Sequence, residues 1–161
     1  AVLLGRNGMY PSPIAFTLAH EIGHAALGHV GSGRAIVDVG DPAFDGDDEE
    51  EREADAYGLE LLTGSAKPAI TTNTNNFSAL GLAQACMTAG PPRGIEPGTL
   101  ALCVGYIKDE WVIANSALKH IYSERKDVWR VVNAIAQREL VWDELGDESA
   151  QYLRILISSD D

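Results

Sequence analysis

The chain has 161 residues, 45% of them hydrophobic, and a formal net charge of −12 at pH 7. Its length allows one sizeable core, but no apolar run approaches the roughly 20 residues of a membrane span, and its acidic balance lacks the clustered Lys and Arg that bind nucleic-acid phosphates. We therefore expect a soluble globular protein that binds neither a membrane nor, directly, nucleic acid.

The first predicted elements are a hairpin and an apolar helix. Asn7-Gly8 favours the positive φ values of a type I′ turn, so the residues around it predict a short hairpin. Two prolines end that extended segment, and apolar residues at helical spacing then predict a helix over about residues 14–30, with Ser12 as its N-cap. The β-branched residues of 34–39 predict a further short strand.

A second helix is predicted over about residues 49–62, where an acidic first turn suits the positive end of the helix dipole. The remainder predicts five helices separated by Pro and Gly, over about residues 77–89, 97–107, 109–123, 125–145 and 147–157. Only about three short strands precede these helices. We therefore expect an α+β fold, predominantly helical, with a small N-terminal β-sheet or hairpin and a C-terminal helical extension.

The strongest chemical signal is the run His20-Glu21-Ile22-Gly23-His24 on the first helix. Residues i and i+4 of a helix lie only about 40° apart around its axis, so the two histidines project from one face and can share one ion. Two imidazoles suit Zn²⁺, which catalytic sites hold through three protein ligands and an open water position. Glu21 lies about 100° away and is positioned to act as general base on that water.

A third ligand must come from another segment, and the second helix offers several acidic residues, Glu50, Glu51 and Glu53 among them. At this point the chain resembles the ImmA/IrrE family of metallopeptidases, and more distantly other gluzincins. The resemblance rests on HEIGHAALGH, residues 20–29, and EREADAYGLELL, residues 51–62.

The resemblance implies that Glu51 is the third metal ligand and that Asp55 is a partner of a ligand histidine. Asp55 lies four residues after Glu51 on the same helical face, and a carboxylate that accepts the free ring N–H of a ligating histidine fixes its tautomer. Glu50 and Glu53 point to other faces, where we interpret them as solvated charges. His29, about 140° from His24 on a continuous helix, is interpreted as structural.

Three polar aromatic residues, Tyr57, His120 and Tyr122, are candidates for stabilising a transition-state oxyanion, and we interpret each as a packing residue. We also expect a zincin-like catalytic core over residues 1–75 with a helical extension packed on it over residues 76–161, or alternatively one continuous domain.

The predicted function is that of a zinc-dependent endopeptidase of the HExxH type, with Mn²⁺ as an alternative metal. The resemblance implies a protein substrate, such as a helix-turn-helix transcriptional repressor cleaved in a stress response. Cys86 and Cys103 lie 17 positions apart in apolar surroundings, which predicts reduced core residues and a cytoplasmic location. The alternative is a noncatalytic regulatory module that is stabilised by a metal and binds a protein partner, although such a module has no use for Glu21.

Overall fold

The structure is a computed structural model and describes residues 10–29, 49–72, 77–124 and 127–157. Within these ranges the chain forms seven α-helices and two short 3-10 helices. The α-helices are α1 (Pro11–Leu27), α2 (Glu49–Thr63), α3 (Ala79–Ala89), α4 (Pro97–Lys108), α5 (Trp111–Ile121), α6 (Val128–Glu139) and α7 (Asp147–Ile157), and the 3-10 helices are Pro91–Arg93 and Trp142–Glu144.

The prediction of an α+β fold with a small N-terminal β-sheet or hairpin is wrong, because the described residues contain no strand and no sheet. Residues 1–9 of the predicted hairpin and the predicted strand over residues 34–39 lie outside the described residues. The physical reason for the correction is the way in which the core is built. In the described residues, helices bury their apolar faces directly against other helices, so no sheet is needed to cover those faces.

The first helix begins and ends three residues earlier than the sequence predicted. Its N-cap is Tyr10, in an extended conformation, and Ser12 lies inside the first turn with 2% of its surface exposed. Pro11 and Pro13 carry no backbone N–H, so the first turn has fewer free N–H groups from which a serine side chain could accept a hydrogen bond. At the other end Gly28 adopts a left-handed conformation with φ of 80° and stops the helix.

Helices α1 and α2 pack face to face, and two glycines allow their close approach. A Cβ atom on Gly23 of α1 would lie 3.0 Å from the carbonyl oxygen of Ala54, and a Cβ atom on Gly58 of α2 would lie 3.2 Å from the backbone nitrogen of His20. Each helix therefore presents backbone, with no intervening side chain, to the other. This contact sets the separation of the two helices that carry the predicted metal ligands.

The main hydrophobic core lies in the C-terminal half, where α3, α4 and α5 pack on one another. Its buried members are Leu82, Ala83, Cys86, Ile95, Leu100, Ala101, Val104, Ala114, Ala117 and Leu118. Cys86 and Cys103 are both buried and carry free thiols. Burial raises the pKa of each thiol to about 11, so these side chains behave as apolar core residues at neutral pH.

A polar junction connects α1 to this C-terminal core. The hydroxyl of Tyr122 donates to Oε1 of Glu96 at 2.8 Å, and its ring stacks on Tyr10 at 5.4 Å between centroids. Oε2 of Glu96 in turn accepts from the backbone N–H of Thr99 at 2.8 Å and caps α4. Gly98 gives α1 room at this junction, because a Cβ atom there would lie 2.6 Å from Oγ of Ser12.

The single helix predicted over residues 125–145 is divided in the structure. Helix α6 ends at Glu139, Leu140 is extended, and a 3-10 turn follows. The indole N–H of Trp142 donates to the carbonyl oxygen of Gln137 at 2.9 Å, which satisfies an acceptor of the last helical turn. In the described ranges, none of the helices has both the length and the apolar character needed to cross a membrane.

Candidate metal centre

Helices α1 and α2 bring His20, His24 and Glu51 together. The Nε2 atoms of the two histidines are 3.0 Å apart. Oε2 of Glu51 lies 3.1 Å from Nε2 of His20, and Oε1 lies 3.3 Å from Nε2 of His24. One turn of α1 and the first turn of α2 thus present two imidazole nitrogens and one carboxylate to a common point.

The spacing of these atoms fits a zinc ion. Tetrahedral zinc with Zn–N and Zn–O bonds of about 2.0–2.1 Å separates its ligand atoms by about 3.3–3.4 Å. The two Nε2 atoms, 3.0 Å apart, need to widen by only a few tenths of an ångström. The Glu51 distances of 3.1 and 3.3 Å belong to its two different oxygens, and one ligand atom from each of the three residues lies within 4.8 Å of the others. A donor set of two imidazoles and one carboxylate also suits zinc better than Mn²⁺, which prefers oxygen-rich octahedral sites.

The exposure of the three side chains rises across this group. His24 is fully buried at 0%, the side chain of His20 is 12% exposed and that of Glu51 is 37% exposed. Glu51 is thus the member of the group that is most accessible to solvent. A catalytic zinc site has three protein ligands and one position open to water.

Asp55 orients His20 from behind. Its Oδ1 lies 2.9 Å from Nδ1 of His20, so the ring donates its Nδ1–H to the carboxylate and keeps the Nε2 lone pair for a metal. The hydrogen bond to Asp55 is the main reason why the pKa of His20 is raised above its usual value. Burial opposes this shift, and the charges of Asp55, Glu51 and Glu21 add to it.

His24 has a partner of a different kind. Its Nδ1 lies 3.0 Å from Nδ1 of His29, and Nε2 of His29 lies 3.2 Å from Oε2 of Glu53. The sequence interpretation assigned His29 a structural role and Glu53 a solvated one, and it missed this arrangement. The signal that could have revealed it is Gly28, because a left-handed glycine after a helix reverses the chain over the last turn.

The structure places the predicted general base, Glu21, directly after His20 on α1, with its surface partly exposed. Its charge contributes to the raised pKa of His20. Among the other acidic residues, Glu50 is not part of the group formed by the three predicted ligands. Of the oxyanion candidates, Tyr122 donates its hydroxyl proton to Glu96 in the polar junction.

A cleft of about 640 Å³ lies between α2 and α4 beside this centre. Asp55 belongs both to the cleft wall and to the hydrogen bond with His20. Leu59 contributes to this wall from α2, and Tyr106 and Ile107 contribute to it from α4. The pKa of Tyr106 is raised by burial and by the charge of Asp55.

The comparisons with known proteins bear on the part of the chain that carries this centre. A family model described as Peptidase U49 matches residues 3–90. No curated protein and no solved structure matches the chain. The matched residues include both histidines of α1, all acidic residues of α2 named above, and the turn that carries His29.

Proposed function

The chain belongs to the peptidase U49 family, and from that membership and the geometry of the metal centre we propose that it is a zinc-dependent endopeptidase of the HExxH type. The observation that carries the proposal is the meeting of His20, His24 and Glu51 across two helices, at separations of 3.0–3.3 Å. A peptidase needs an activated nucleophile, either a side chain or a water molecule, and among the described residues this group has the donor set that would hold a metal ion to activate water.

In the proposed centre, Nε2 of His20, Nε2 of His24 and a carboxylate oxygen of Glu51 hold the ion. Zinc, when bound, supplies a Lewis acid that lowers the pKa of a water molecule and polarises the scissile carbonyl. Asp55 keeps His20 in the tautomer that can bind metal. The complete burial of His24 excludes water from the rear of the site.

Glu21 is the proposed general base. As a carboxylate it accepts a proton from the attacking water, and as a carboxylic acid it returns that proton to the departing amine nitrogen. The water oxygen would form the new bond to the carbonyl carbon as Glu21 takes up the proton, and the C–N bond would break as Glu21 returns that proton to the nitrogen. One proton is taken up and one is delivered, so Glu21 is regenerated at the end of each turnover.

The cleft between α2 and α4 supports a peptide substrate, since its wall of apolar, acidic and basic side chains reaches Asp55 beside the centre. The resemblance of residues 20–62 to ImmA/IrrE proteins supports a finer proposal, in which the substrate is a regulatory protein such as a helix-turn-helix repressor. The free thiols of Cys86 and Cys103 support action in a reducing, cytoplasmic environment. Zinc is the proposed metal, with Mn²⁺ as the alternative.

The test is Glu21→Gln, which keeps the size and helix propensity of the side chain but removes the base. We expect the variant to fold and to retain zinc by elemental analysis, and to cleave a protein substrate about 10² to 10⁴-fold more slowly, mainly in turnover. Glu60→Gln, also on a helix and exposed, is the matched control and should cleave normally.

Two results would contradict the proposal. Cleavage by Glu21→Gln within a few fold of the parent would reject the assigned base. Zinc binding by the parent, without cleavage of any member of a panel of repressors and unfolded proteins, would favour the noncatalytic regulatory module instead.

A further inference from the structure

His24 is the most deeply buried of the three proposed ligands. Its second ring nitrogen, Nδ1, faces away from the metal position and contacts His29. Its side chain is 0% exposed, and Nδ1 lies 3.0 Å from Nδ1 of His29. A buried ring N–H without an acceptor is destabilising, because it loses its hydrogen bonds to water and gains none in return. His29 therefore supplies the acceptor that the burial of His24 requires.

His24, His29 and Glu53 are joined in a chain of hydrogen bonds. Only one placement of the protons in this chain leaves His24 able to bind a cation. Nε2 of His24 must be unprotonated to coordinate, so its proton is on Nδ1 and is donated to Nδ1 of His29. Nδ1 of His29 is then unprotonated, so the proton of that ring is on Nε2. This second N–H donates to Oε2 of Glu53 at 3.2 Å.

The backbone fixes His29 in the position that this arrangement needs. Gly28 has φ of 80°, a conformation that reverses the chain at the end of α1. The N–H of His29 then donates to the carbonyl oxygen of His24 at 2.9 Å, so the backbones of these two residues are joined as well as their rings. The side chain of His29 is only 8% exposed, which limits the directions in which the ring can turn.

We propose that His29 and Glu53 are positioning residues that hold the ring of His24 in its metal-binding tautomer and orientation. The inference rests on the proposed function, since it concerns the same metal. It differs from the direct carboxylate contact of Asp55 with His20, because here a second imidazole stands between the ligand and the carboxylate. Glu53 acts only through His29.

The two positioning residues should differ in the size of their effects. The carboxylate of Glu53 is 55% exposed, so solvent weakens its hydrogen bond to His29. His29→Leu removes the acceptor while keeping a side chain of similar bulk, and we expect zinc affinity to fall about 10- to 100-fold. Glu53→Gln keeps an acceptor but loses its charge, and we expect a loss of about two- to fivefold.

The measurement is zinc affinity at fixed pH, by competition with a chromophoric chelator, on the full chain. His29→Asn is the rescue variant, because Oδ1 of asparagine takes nearly the position of Nδ1 and can accept from His24; we expect affinity within a few fold of the parent. Glu60→Gln, two turns along α2, is the control for removal of a negative charge. Far-ultraviolet circular dichroism of the metal-free variants shows whether each one folds.

A double-mutant cycle separates positioning from a general electrostatic effect. If Glu53 acts through His29, Glu53→Gln has no effect on zinc affinity in the His29→Leu background. An equal loss in both backgrounds would overturn the positioning role and leave Glu53 as a distant charge. The absorption spectrum of the Co²⁺-loaded protein is a second readout, since a rotated His24 changes the ligand field even when the metal is saturating.

The remaining outcomes decide between this inference and the function on which it rests. Parent protein that binds zinc through Glu51, with unchanged affinity in both His29→Leu and Glu53→Gln, would overturn only the positioning role. Failure of the parent to bind zinc would overturn the metal centre and the inference together. If His29→Leu does not fold, His29→Asn serves as the second background. Loss of zinc affinity on Glu53→Gln in the parent but not in the His29→Asn background would still support the inference. Loss of zinc affinity in both backgrounds would reject it.

Discussion

Glu51 contributes the only carboxylate among the three proposed ligands, and Asp55, one turn later, touches the metal only through His20. Glu51→Ala should therefore lower zinc affinity by more than about 100-fold, and Asp55→Ala by about 10- to 100-fold. Chelator competition on both variants is the measurement, with Glu60→Ala as the control. Equal losses would mean that Asp55 itself coordinates, and undiminished affinity in Glu51→Ala would transfer the ligand role to another carboxylate of α2.

His20 gives the metal-free protein a pH dependence of defined sign. The pKa of His20 is raised by its hydrogen bond to Asp55, and the charges of Glu51 and Glu21 add to the shift while burial opposes it. The protonated ring therefore stabilises the fold fully below the ordinary pKa of about 6.5. This stabilisation is lost as the pH rises through the higher pKa of the folded state.

Urea unfolding of chelator-treated protein at pH values from about 6 to 9 tests this sign. We expect the contribution of His20 to the free energy of unfolding to fall with rising pH, and Asp55→Asn to flatten the dependence because it keeps a hydrogen-bond acceptor but removes the negative charge that favours the protonated ring. Parent and Asp55→Asn with the same pH dependence would show that another group is responsible. In zinc-loaded protein the trend should reverse at low pH, where protons compete with the metal for His20.

For individual residues, the sequence predicts which side chains lie together only where helix geometry or the family resemblance indicates it. His20 and His24 share a face because four residues make about one turn, and the resemblance supplied Glu51 and Asp55. The contacts of His29 and Glu53 could not be derived in the same way. His29 lies beyond Gly28, so the angle of about 140° expected on a continuous helix does not apply to it.

Among the elements, the contact of α1 with α2 is the one on which the centre depends. A methyl group at Gly23 would meet the backbone of Ala54, and one at Gly58 would meet the backbone of His20, so neither helix can yield by rotating a side chain. Gly23→Ala and Gly58→Ala should move the helices apart by a few tenths of an ångström. Metal–ligand distances tolerate only about ±0.2 Å, so we expect zinc affinity to fall about tenfold.

The same two substitutions should have a much smaller effect on the stability of the metal-free protein. Alanine is favoured over glycine inside a helix by about 0.5–1 kcal/mol, which offsets part of the strain. Gly146→Ala is the matched control, because a methyl group there has open space. Chelator competition and urea unfolding are the two measurements. Affinity equal to that of the parent in both variants would show that the close approach is not required.

Element boundaries were predictable where local signals were strong. Helices α2, α4 and α7 lie within one residue of their predicted bounds. The end of α6 was not predictable from apolar spacing, because the interruption depends on the indole of Trp142 bonding to the carbonyl oxygen of Gln137. That contact requires a bend in the chain between Gln137 and Trp142, and no Pro or Gly in that segment predicts one.

For the whole molecule, the polar junction around Gly98 decides how firmly α1 is held against the C-terminal core. A methyl group at Gly98 would collide with the hydroxyls of Ser12 and Tyr122, both constrained by burial or stacking. Gly98→Ala should therefore lower the free energy of unfolding by about 1–3 kcal/mol. Tyr122→Phe, which removes only the hydrogen bond to Glu96, should cost about 1 kcal/mol.

Urea unfolding of the zinc-loaded and metal-free variants measures both effects. Zinc affinity should change little, since the junction lies at the start of α1 and the ligands lie two to three turns further along. A large loss of affinity in Gly98→Ala, without loss of stability, would show that the junction sets the geometry of the metal centre.

The proposed division into residues 1–75 and 76–161 remains a prediction.

The fold class was the part of the whole molecule that the sequence did not predict. The helical periodicity of α3, α4 and α5 was readable, but it did not indicate that these three helices would bury their faces against one another. The sequence therefore predicted helices better than their assembly.

Because the proposed ligands are divided between α1 and α2, a bound ion would hold these two helices together against local opening. Two ligands belong to one helix and the third to its neighbour, so separation of the helices releases Glu51 and weakens binding. Once the free zinc concentration exceeds the dissociation constant, each further tenfold increase in that concentration should make this opening about tenfold rarer. Amide hydrogen exchange in α2 would slow in proportion, while exchange in α7 would not respond, so the zinc concentration would set how often this part of the chain unfolds.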